Sequence, residues 1–316
     1  MIVHPENMNF SDKKFSMILW GSPGVGKTTL ALSAPNPILL DFDRGISRVR
    51  ASHRRDTSVC SNYKEVLADI NSPDMRNYET VVIDTGGSFV TFLKDWAKTE
   101  KKAVTKSGEF DGRRGFGLVK SEFASFTEDI KTRLNMNIIY VFHSNEEKDK
   151  DGNPIQRLVC EGSVRNSVWT PCDFGGYIQM IGTQRVICFT PEQEYFAKGC
   201  HGITGKIAIP ELGPNDPNDF ITRLFETAKA NIQAENEELA PIREQYELVM
   251  ASVRQMVDTV VDIETANRVA KDIPTLAHAM TSLKESSALL KAKTESLGLI
   301  YSKSAGSYIS KEPKEA

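Results

Sequence analysis

Eight consecutive residues constrain this chain more than anything else in it. Gly21-Ser-Pro-Gly-Val-Gly-Lys-Thr28 satisfies G-x-x-x-x-G-K-[ST] at every fixed position. At average residue usage such a match arises by chance in roughly one chain in a hundred of this length. Its flanks strengthen it: Phe15-Ser-Met-Ile-Leu-Trp20 is a short apolar run, and Thr28-Thr-Leu-Ala-Leu-Ser33 reads as the opening of a helix. In a strand, glycine loop, helix arrangement the glycines let backbone N–H groups turn inward around phosphate oxygens. The helix adds its positive end, Lys27 reaches the β- and γ-phosphates, and Thr28 offers a hydroxyl to Mg²⁺. Nucleotide contact is therefore assigned to Gly21, Ser22, Pro23, Gly24, Val25, Gly26, Lys27, Thr28 and Thr29, with ATP and Mg²⁺ as the ligands. A glycine turn bearing a surface lysine is the bland alternative.

The rest of the first two thirds repeats a β-α pattern. Pro37-Ile-Leu-Leu-Asp-Phe42 is a second apolar run, and Thr57 to Cys60 followed by Lys64 to Ile70 reads as a short strand and a helix. Glu79-Thr-Val-Val-Ile-Asp84 and Asn137-Ile-Ile-Tyr-Val-Phe-His143 are further strand candidates. Near-continuous apolar runs suit strands covered on both faces, so the expectation is an α/β fold with a mostly parallel central sheet. Residues 175–181 and 184–189, with Gly182-Thr183 between them, read as a hairpin closing one end of that sheet.

After about Ala228 the pattern becomes helical. Ile242, Tyr246, Val249, Val253, Val257 and Val260 fall on one stripe, and Leu276, Met280 and Leu283 begin another. Pro241 suits a first helical turn, Pro274 separates two helices, and Gly298 suits a C-terminal cap. The expected organisation is a core over 1–227, a C-terminal α-helical region over 228–301 and a tail over 302–316 without structure.

A phosphate loop needs a further group for Mg²⁺ and a carboxylate for the attacking water. Asp84 is the candidate for the first, because an acid ending a strand lies at the carboxyl edge of the sheet. It could instead cap the helix that follows. For the water, Asp41 and Asp43 lie two apart, so on an extended chain both would face one side. Asp43 is favoured, with a capping or turn role as its competitor. His143, at a strand end, could sense the γ-phosphate or be structural.

The order of these parts resembles the RecA-type recombinase core. More closely, it is similar to phage-encoded single-domain RecA-like ATPases of the AAA-like phage nucleotide-binding type, implicated in single-strand annealing and recombination. The resemblance covers about residues 10 to 225. Asp41-Phe-Asp-Arg-Gly45 stands where that family has an acidic D-x-E strand end, with Asp43 in place of glutamate. Val81-Val-Ile-Asp84 resembles its Walker B, and Phe142-His143-Ser144 its sensor strand end. The resemblance implies ATP hydrolysis, assembly into a homo-oligomeric ring or filament, and single-stranded DNA contacts by two loops, here about Thr99 to Gly117 and Asn145 to Trp169. It also implies a basic residue acting on the neighbouring subunit's nucleotide. Phe196-Ala-Lys-Gly-Cys200 resembles that K-x-R, with Cys200 replacing arginine, which leaves Lys198 as trans-acting candidate or ordinary surface lysine.

The first loop carries its own chemistry. Between Ala97 and Lys120 stand seven basic residues, Lys98, Lys101, Lys102, Lys106, Arg113, Arg114 and Lys120, against Glu100, Glu109 and Asp111. Lys101, Lys102, Lys106, Arg113 and Arg114 are the DNA-contact candidates, and Phe110 and Phe116 could stack on bases. A solvated loop is the alternative. The second loop starts acidic, with Glu146, Glu147, Asp149 and Asp151, before Arg157, Arg165 and Trp169. The cluster Arg44, Arg48, Arg50, Arg54, Arg55 reads as a solvated helix face or as a contact with a neighbour's acidic surface or with DNA.

Composition sets the outer bounds. Across 316 residues, 39 Lys+Arg against 42 Asp+Glu give a formal net charge of −3, so any polyanion contact is local. Five cysteines in no C-x-x-C pair argue against structural zinc and a disulfide framework. Residues 1–10 lack an apolar leader core and no stretch reads as a membrane span, so a cytoplasmic location, in a host cell if phage-encoded, is expected. The functional expectation is a recombination ATPase acting on single-stranded DNA, with a single-strand-binding protein as a further partner. The rival is a nucleotide-dependent loader or regulator that binds a helicase or single-strand-binding protein. A small-molecule kinase is disfavoured for want of an evident lid or acceptor pocket.

Overall fold

The computed structural model describes Phe10, residues 12–161 and residues 164–310. Residues 1–9, read as lacking a leader, and 311–316 of the tail lie outside the described residues. The described chain runs β1 (Ser16–Gly21), α1 (Lys27–Ala31), β2 (Pro37–Asp41), β3 (Thr57–Ser58), α2 (Tyr63–Ile70), β4 (Thr80–Asp84), α3 (Gly86–Ala97) and α4 (Gly112–Thr132). It continues with β5 (Asn137–Lys148), β6 (Pro154–Leu158), α5 (Val164–Ser167), β7 (Phe174–Ile181), β8 (Gln184–Cys188) and β9 (Lys206–Ala208). Last come α6 (Phe220–Asp258), α7 (Ile263–Asp272), α8 (Ser282–Ser296), β10 (Leu299–Ser302) and β11 (Ser307–Ser310).

Two compact units contain these elements, Phe10–Asn231 and a second built from residue 232 onward. In the first, nine strands among the described residues form one sheet in the order β3-β2-β4-β5-β1-β7-β8-β9, with β6 added to the far end of β5. Pairing is parallel from β3 through β7, and antiparallel from β7 to β8 and β8 to β9. The physical reason lies in the strands' composition: every residue of β1, β2 and β4 and the first six of β5 are buried, so both sheet faces are covered. The chain leaves β1 toward β2 on one flank and later returns to β7 on the other. β1 is thus the switch point, where crevices open at the strands' carboxyl ends.

One face is closed by an aromatic cluster from α2, α3, α4 and β5. Phe89 and Phe126 stand 4.9 Å apart and Phe123 and Tyr140 4.6 Å apart, while the buried Tyr140 hydroxyl is paired with Thr127 Oγ1 at 2.7 Å. On the other face Phe15, Phe174 and Phe225 pack together, Phe225 coming from the first turns of α6.

Several expectations change. Strand β5 does not end at His143 but runs to Lys148, because residues 144–148 find an antiparallel partner in β6. The stretch read as a second loop is therefore largely a hairpin. The first loop is shortened likewise: α4 starts at Gly112, capped by the Asp111 side chain, so Arg113 and Arg114 lie in its first turn. The hairpin of β7 and β8 does not close the sheet, since β9 follows as its edge strand.

The second unit has its own core, in which Val249, Val253, Val257 and Val260 of the predicted stripe meet Val269, Leu290 and Tyr308. Ile242 is exposed and not part of it. Pro241 sits inside α6 rather than starting a helix; residues 237–242 are exposed, so water can serve the carbonyl that its missing N–H leaves free. Leu276, Met280 and Leu283 form no stripe. Helix α8 begins at Ser282 and buries Ser282, Ser286, Leu290 and Thr294, with the Ser286 hydroxyl returned to the Ser282 carbonyl. Ser302 and residues 307–310, expected to lack structure, belong to the β10–β11 hairpin, whose Tyr308 is anchored by Asn267. Gly298 does follow α8 with φ of 73°.

Replacing Phe89 by alanine should cost about 3–5 kcal/mol of unfolding free energy, against less than about 0.5 kcal/mol for Leu283→Ala on the exposed face of α8. Denaturant titration of the two variants checks this, and equal costs would contradict the assigned core.

Candidate nucleotide site

The register of the parallel strands gathers the chemistry at one edge. Asp41 pairs with Asp84, Asp84 with Val141, and Gly21 with His143, so the ends of β1, β2 and β4 and the middle of β5 open on one cleft of ≈170 Å³. Gly21, Gly24 and Gly26 have positive φ. Gly21 is also sterically required, since a Cβ there would lie 2.4 Å from the Ile178 carbonyl oxygen of β7, whereas one on Gly26 would meet only the movable end of the Arg185 side chain. The helix after the loop is only five residues long. Its dipole is correspondingly slight, so the loop N–H groups and Lys27 supply most of the anion-binding field.

Lys27 is buried and folds back over the loop, donating to the carbonyls of Gly21 at 3.0 Å and Ser22 at 2.8 Å. Burial pushes its ammonium down to about 8, against the pull of Asp84. Thr28 Oγ1 donates to Asp84 Oδ2 at 2.5 Å across the intervening strand β5. Burial pushes the Asp84 carboxyl up to about 6, opposed by the Thr28 bond. The helix-cap alternative for Asp84 goes to its neighbour instead: Thr85 Oγ1 accepts the Ser88 N–H and caps α3.

The other two acids separate as soon as the strand ends. β2 stops at Asp41, so Asp41 and Asp43 do not share an extended segment as the spacing suggested. Asp41 is buried and accepts the N–H groups of Gly45 at 2.8 Å and Ile46 at 2.9 Å, which commits it to the turn. Asp43 is exposed on the cleft wall, held by the Ser88 hydroxyl at 2.6 Å. His143 lines the same cleft; burial first, then the charges of Lys27 and Arg48, hold its imidazole below the usual range. Its Nδ1 is buried without a hydrogen-bond partner among the described residues.

Mg²⁺ fits this donor set. A threonine hydroxyl and one carboxylate, both hard oxygens, converge on one spot, and among the described residues no cluster of three His, Cys, Asp or Glu offers a closed cage. That is how Mg²⁺ is usually held, through one or two protein oxygens plus phosphate oxygens.

The cleft, its loop and its strand order bear on kinship. A family model described as an AAA domain matches residues 13–201. The chain belongs to the AAA domain family. The chain is 23% identical over 137 residues to the SPbeta prophage-derived uncharacterized protein YorG of Bacillus subtilis (strain 168), covering 42% of each. The chain thus spans less than half the length of that curated relative. Among solved structures it is distantly similar to one described as an ATPase domain, at a TM-score of 0.38 and 11% identity over 62% of this chain and 80% of that one. A similar likeness links it to the ATP synthase subunit NeqB from Nanoarcheaum equitans, at a TM-score of 0.37 and 10% identity over 91% and 73%.

Outside the cleft this AAA domain departs from the reading of its basic residues. Lys101, Lys102, Lys106, Arg113 and Arg114 are exposed, but Arg114 is paired with Asp111 at 2.7 Å and Lys98 with Asp95 at 2.6 Å. Phe110 and Phe116 are not open platforms: they meet edge to face at 5.6 Å and pack on the core. Trp169 is likewise packed, between Trp20 and Phe196. Lys198 is turned inward, its ammonium donating to the Cys172 carbonyl, and its backbone is paired with Gly175. The arginines 44–55 lie on two single-turn helices and their connections rather than one helix face. Sequence reasoning missed Ser88 and Arg185. Ser88 follows Asp84 by four residues, a local hint, whereas nothing near Arg185 marks it. Among the described residues no helix is long and apolar enough to cross a membrane.

Because the folded pKa of Asp84 lies above its ordinary value, its ionisation costs stability above about pH 6 and nothing below about pH 4. Asp84→Asn should therefore be more stable than the parent by about 1–3 kcal/mol at neutral pH in nucleotide-free, magnesium-free buffer, a gain that vanishes toward pH 4. Thermal unfolding across that range checks it; a gain independent of pH would contradict the buried charge.

Proposed function

We propose that this chain is an ATP-binding and ATP-hydrolysing P-loop protein that works as a nucleotide-dependent loader or regulator of a DNA-processing partner, such as a helicase or single-strand-binding protein. The observation that carries the ATPase reading is the meeting of Lys27, Thr28 and Asp84 in one cleft with a second carboxylate, Asp43, exposed on its wall. Mg²⁺ held by Thr28 and Asp84 would neutralise charge on the β- and γ-phosphates. Lys27 exchanges its two loop carbonyls for phosphate oxygens. Asp43, fixed by Ser88, accepts a hydrogen bond from the water that attacks in line, and His143, kept neutral, donates its ring N–H to the terminal phosphate. The likeness to a prophage-derived protein supports a phage context.

The loader reading is favoured over direct DNA action by two features. The unit from residue 232 onward has a core of its own and exposes Leu248, Val261 and Met280. The basic strip lacks open aromatic faces. A RecA-like annealing or strand-exchange role, in a ring or filament, is the second reading; the exposed Lys101, Lys102, Lys106 and Arg113 favour it as a phosphate track.

Steady-state hydrolysis with and without single-stranded DNA separates them. The loader reading predicts turnover unchanged by DNA within about twofold, and stimulation of tenfold or more that disappears when Lys101, Lys102, Lys106 and Arg113 are neutralised would establish the second reading instead. Lys27→Ala should abolish turnover. Asp43→Asn should slow it by about 10²–10⁴ with little change in ATP affinity, whereas Asp41→Asn should act mainly through stability; equal turnover in Asp43→Asn and the parent would remove Asp43 from the mechanism.

A further inference from the structure

Between β2 and β3 the chain carries five arginines, Arg44, Arg48, Arg50, Arg54 and Arg55, with no acid from the first to the last. Arg44, Arg48, Arg50 and Arg54 are exposed, and among the described residues none of the five makes an ion pair. The basic strip at 98–120 differs, because Asp95 and Asp111 already neutralise part of it.

These arginines are held in place. Asp41 accepts the N–H groups of Gly45 and Ile46 where the excursion begins. Arg54 donates to the carbonyls of Val49 at 2.9 Å and Ser47 at 3.0 Å, and Arg50 to that of Leu212 at 3.0 Å. Each of these guanidinium groups keeps further N–H donors for a partner. Arg48 and Arg50 also line, with Arg185 and Arg223, a cavity of ≈490 Å³. Its single acid among the described residues, Asp219, is paired with Arg223 at 2.9 Å. Positive charge therefore continues from the rim into the cavity, while Leu212 and Pro217 add apolar surface beside it.

A matching surface lies elsewhere on the same chain. From Glu235 to Glu247, in the middle of α6, stand five glutamates against one arginine. All five are exposed, and none makes an ion pair among the described residues. Glu235, Glu238, Leu239 and Ile242 are spaced i, i+3, i+4, i+7 and so share one helix face, on which Leu239 is 36% and Ile242 45% exposed. Two carboxylates beside two uncovered aliphatic side chains complement arginines beside Leu212 and Pro217 in both charge and polarity.

We propose that the arginine excursion of one copy of this chain receives the Glu235–Ile242 face of α6 from a second copy. Glu235 and Glu238 then pair with arginines of the excursion, and Leu239 and Ile242 cover Leu212 and Pro217. The basic cavity shares Gly24, Thr29 and Arg48 with the phosphate cleft, so this contact brings the acidic helix of one copy to the border of the nucleotide site of the other. Nucleic acid is the other polyanion that arginines accept. Residues 44–55 contain no Phe, Tyr or Trp on which bases could stack, and a phosphate track has no use for the apolar neighbours.

Sedimentation equilibrium of the full chain in nucleotide-free buffer tests this, and its outcome does not depend on the ATPase reading. The parent should self-associate at about 10–100 µM in about 50 mM salt, and about tenfold more weakly in about 500 mM. Reversing charge by Arg50→Glu with Arg54→Glu, or by Glu235→Arg with Glu238→Arg, should each weaken association about tenfold or more. The two glutamates make no contact within the chain that folding needs, so their reversal stays informative even where that of the arginines disturbs the turn. An equimolar mixture of the two reversed proteins should associate within about threefold of the parent, because acid again meets base at each contact. A parent that is monomeric at low salt, association indifferent to both reversals, or a mixture no stronger than its components overturns the proposal. A monomeric parent that retains labelled oligo(dT) until Arg50 and Arg54 are reversed would assign the arginines to nucleic acid instead.

Discussion

The Thr28–Asp84 hydrogen bond at 2.5 Å is the contact around which the rest of the molecule is arranged. It joins the start of α1 to the end of β4, two strands away in the sheet, and so exists only if β5 is inserted between β1 and β4 in the correct register. Three apolar strands buried on both faces secure that register, because a shift of one residue would exchange the side chains packed against the two covering layers. The site is thus a by-product of sheet packing: three strand ends and the middle of β5, brought level, deliver a cation, a hydroxyl and carboxylates to one crevice.

Holding that constellation has a cost that the protein bears in its charged groups. Lys27 and Asp84 are both driven toward neutrality by burial, and each partly restores the other's charge. A site of this kind is poised for a ligand that carries negative charge and brings a cation with it, since the ligand supplies what burial removed. Asp41 shows the contrasting solution. Equally buried, it is satisfied by two backbone N–H groups and serves the turn that presents Asp43.

How much of this is legible in the sequence depends on how local the determinants are. The phosphate loop is readable because eight adjacent residues carry it, and Asp84 because a β-branched run ending in an acid reaches the carboxyl edge of a parallel sheet. The sheet class follows from unbroken apolar runs. What depends on distant partners is not readable. His143 reads as a strand end since β6, which extends β5 past it, is polar and short. Phe110 and Phe116 read as available for stacking, and only tertiary packing shows them turned to the core. Lys198 reads as a trans-acting candidate or a surface lysine until its partner, the Cys172 carbonyl, is in view. Arg185 meets Val25 across 160 residues of sequence, a distance no local pattern spans. The stripe of Leu276, Met280 and Leu283 does not form for a related reason: α8 buries serine and threonine hydroxyls bonded back to their own helix, which a hydrophobic count does not see.

The central claim is that this crevice is a nucleoside triphosphate·Mg²⁺ site. Calorimetric titration of a non-hydrolysable ATP analogue, with and without Mg²⁺, into the parent and Asp84→Ala tests it most directly. The account predicts one site per chain, binding strengthened about tenfold or more by Mg²⁺ in the parent, and no Mg²⁺ effect in Asp84→Ala. Absence of binding in the parent, or an equal Mg²⁺ effect in both proteins, would contradict it.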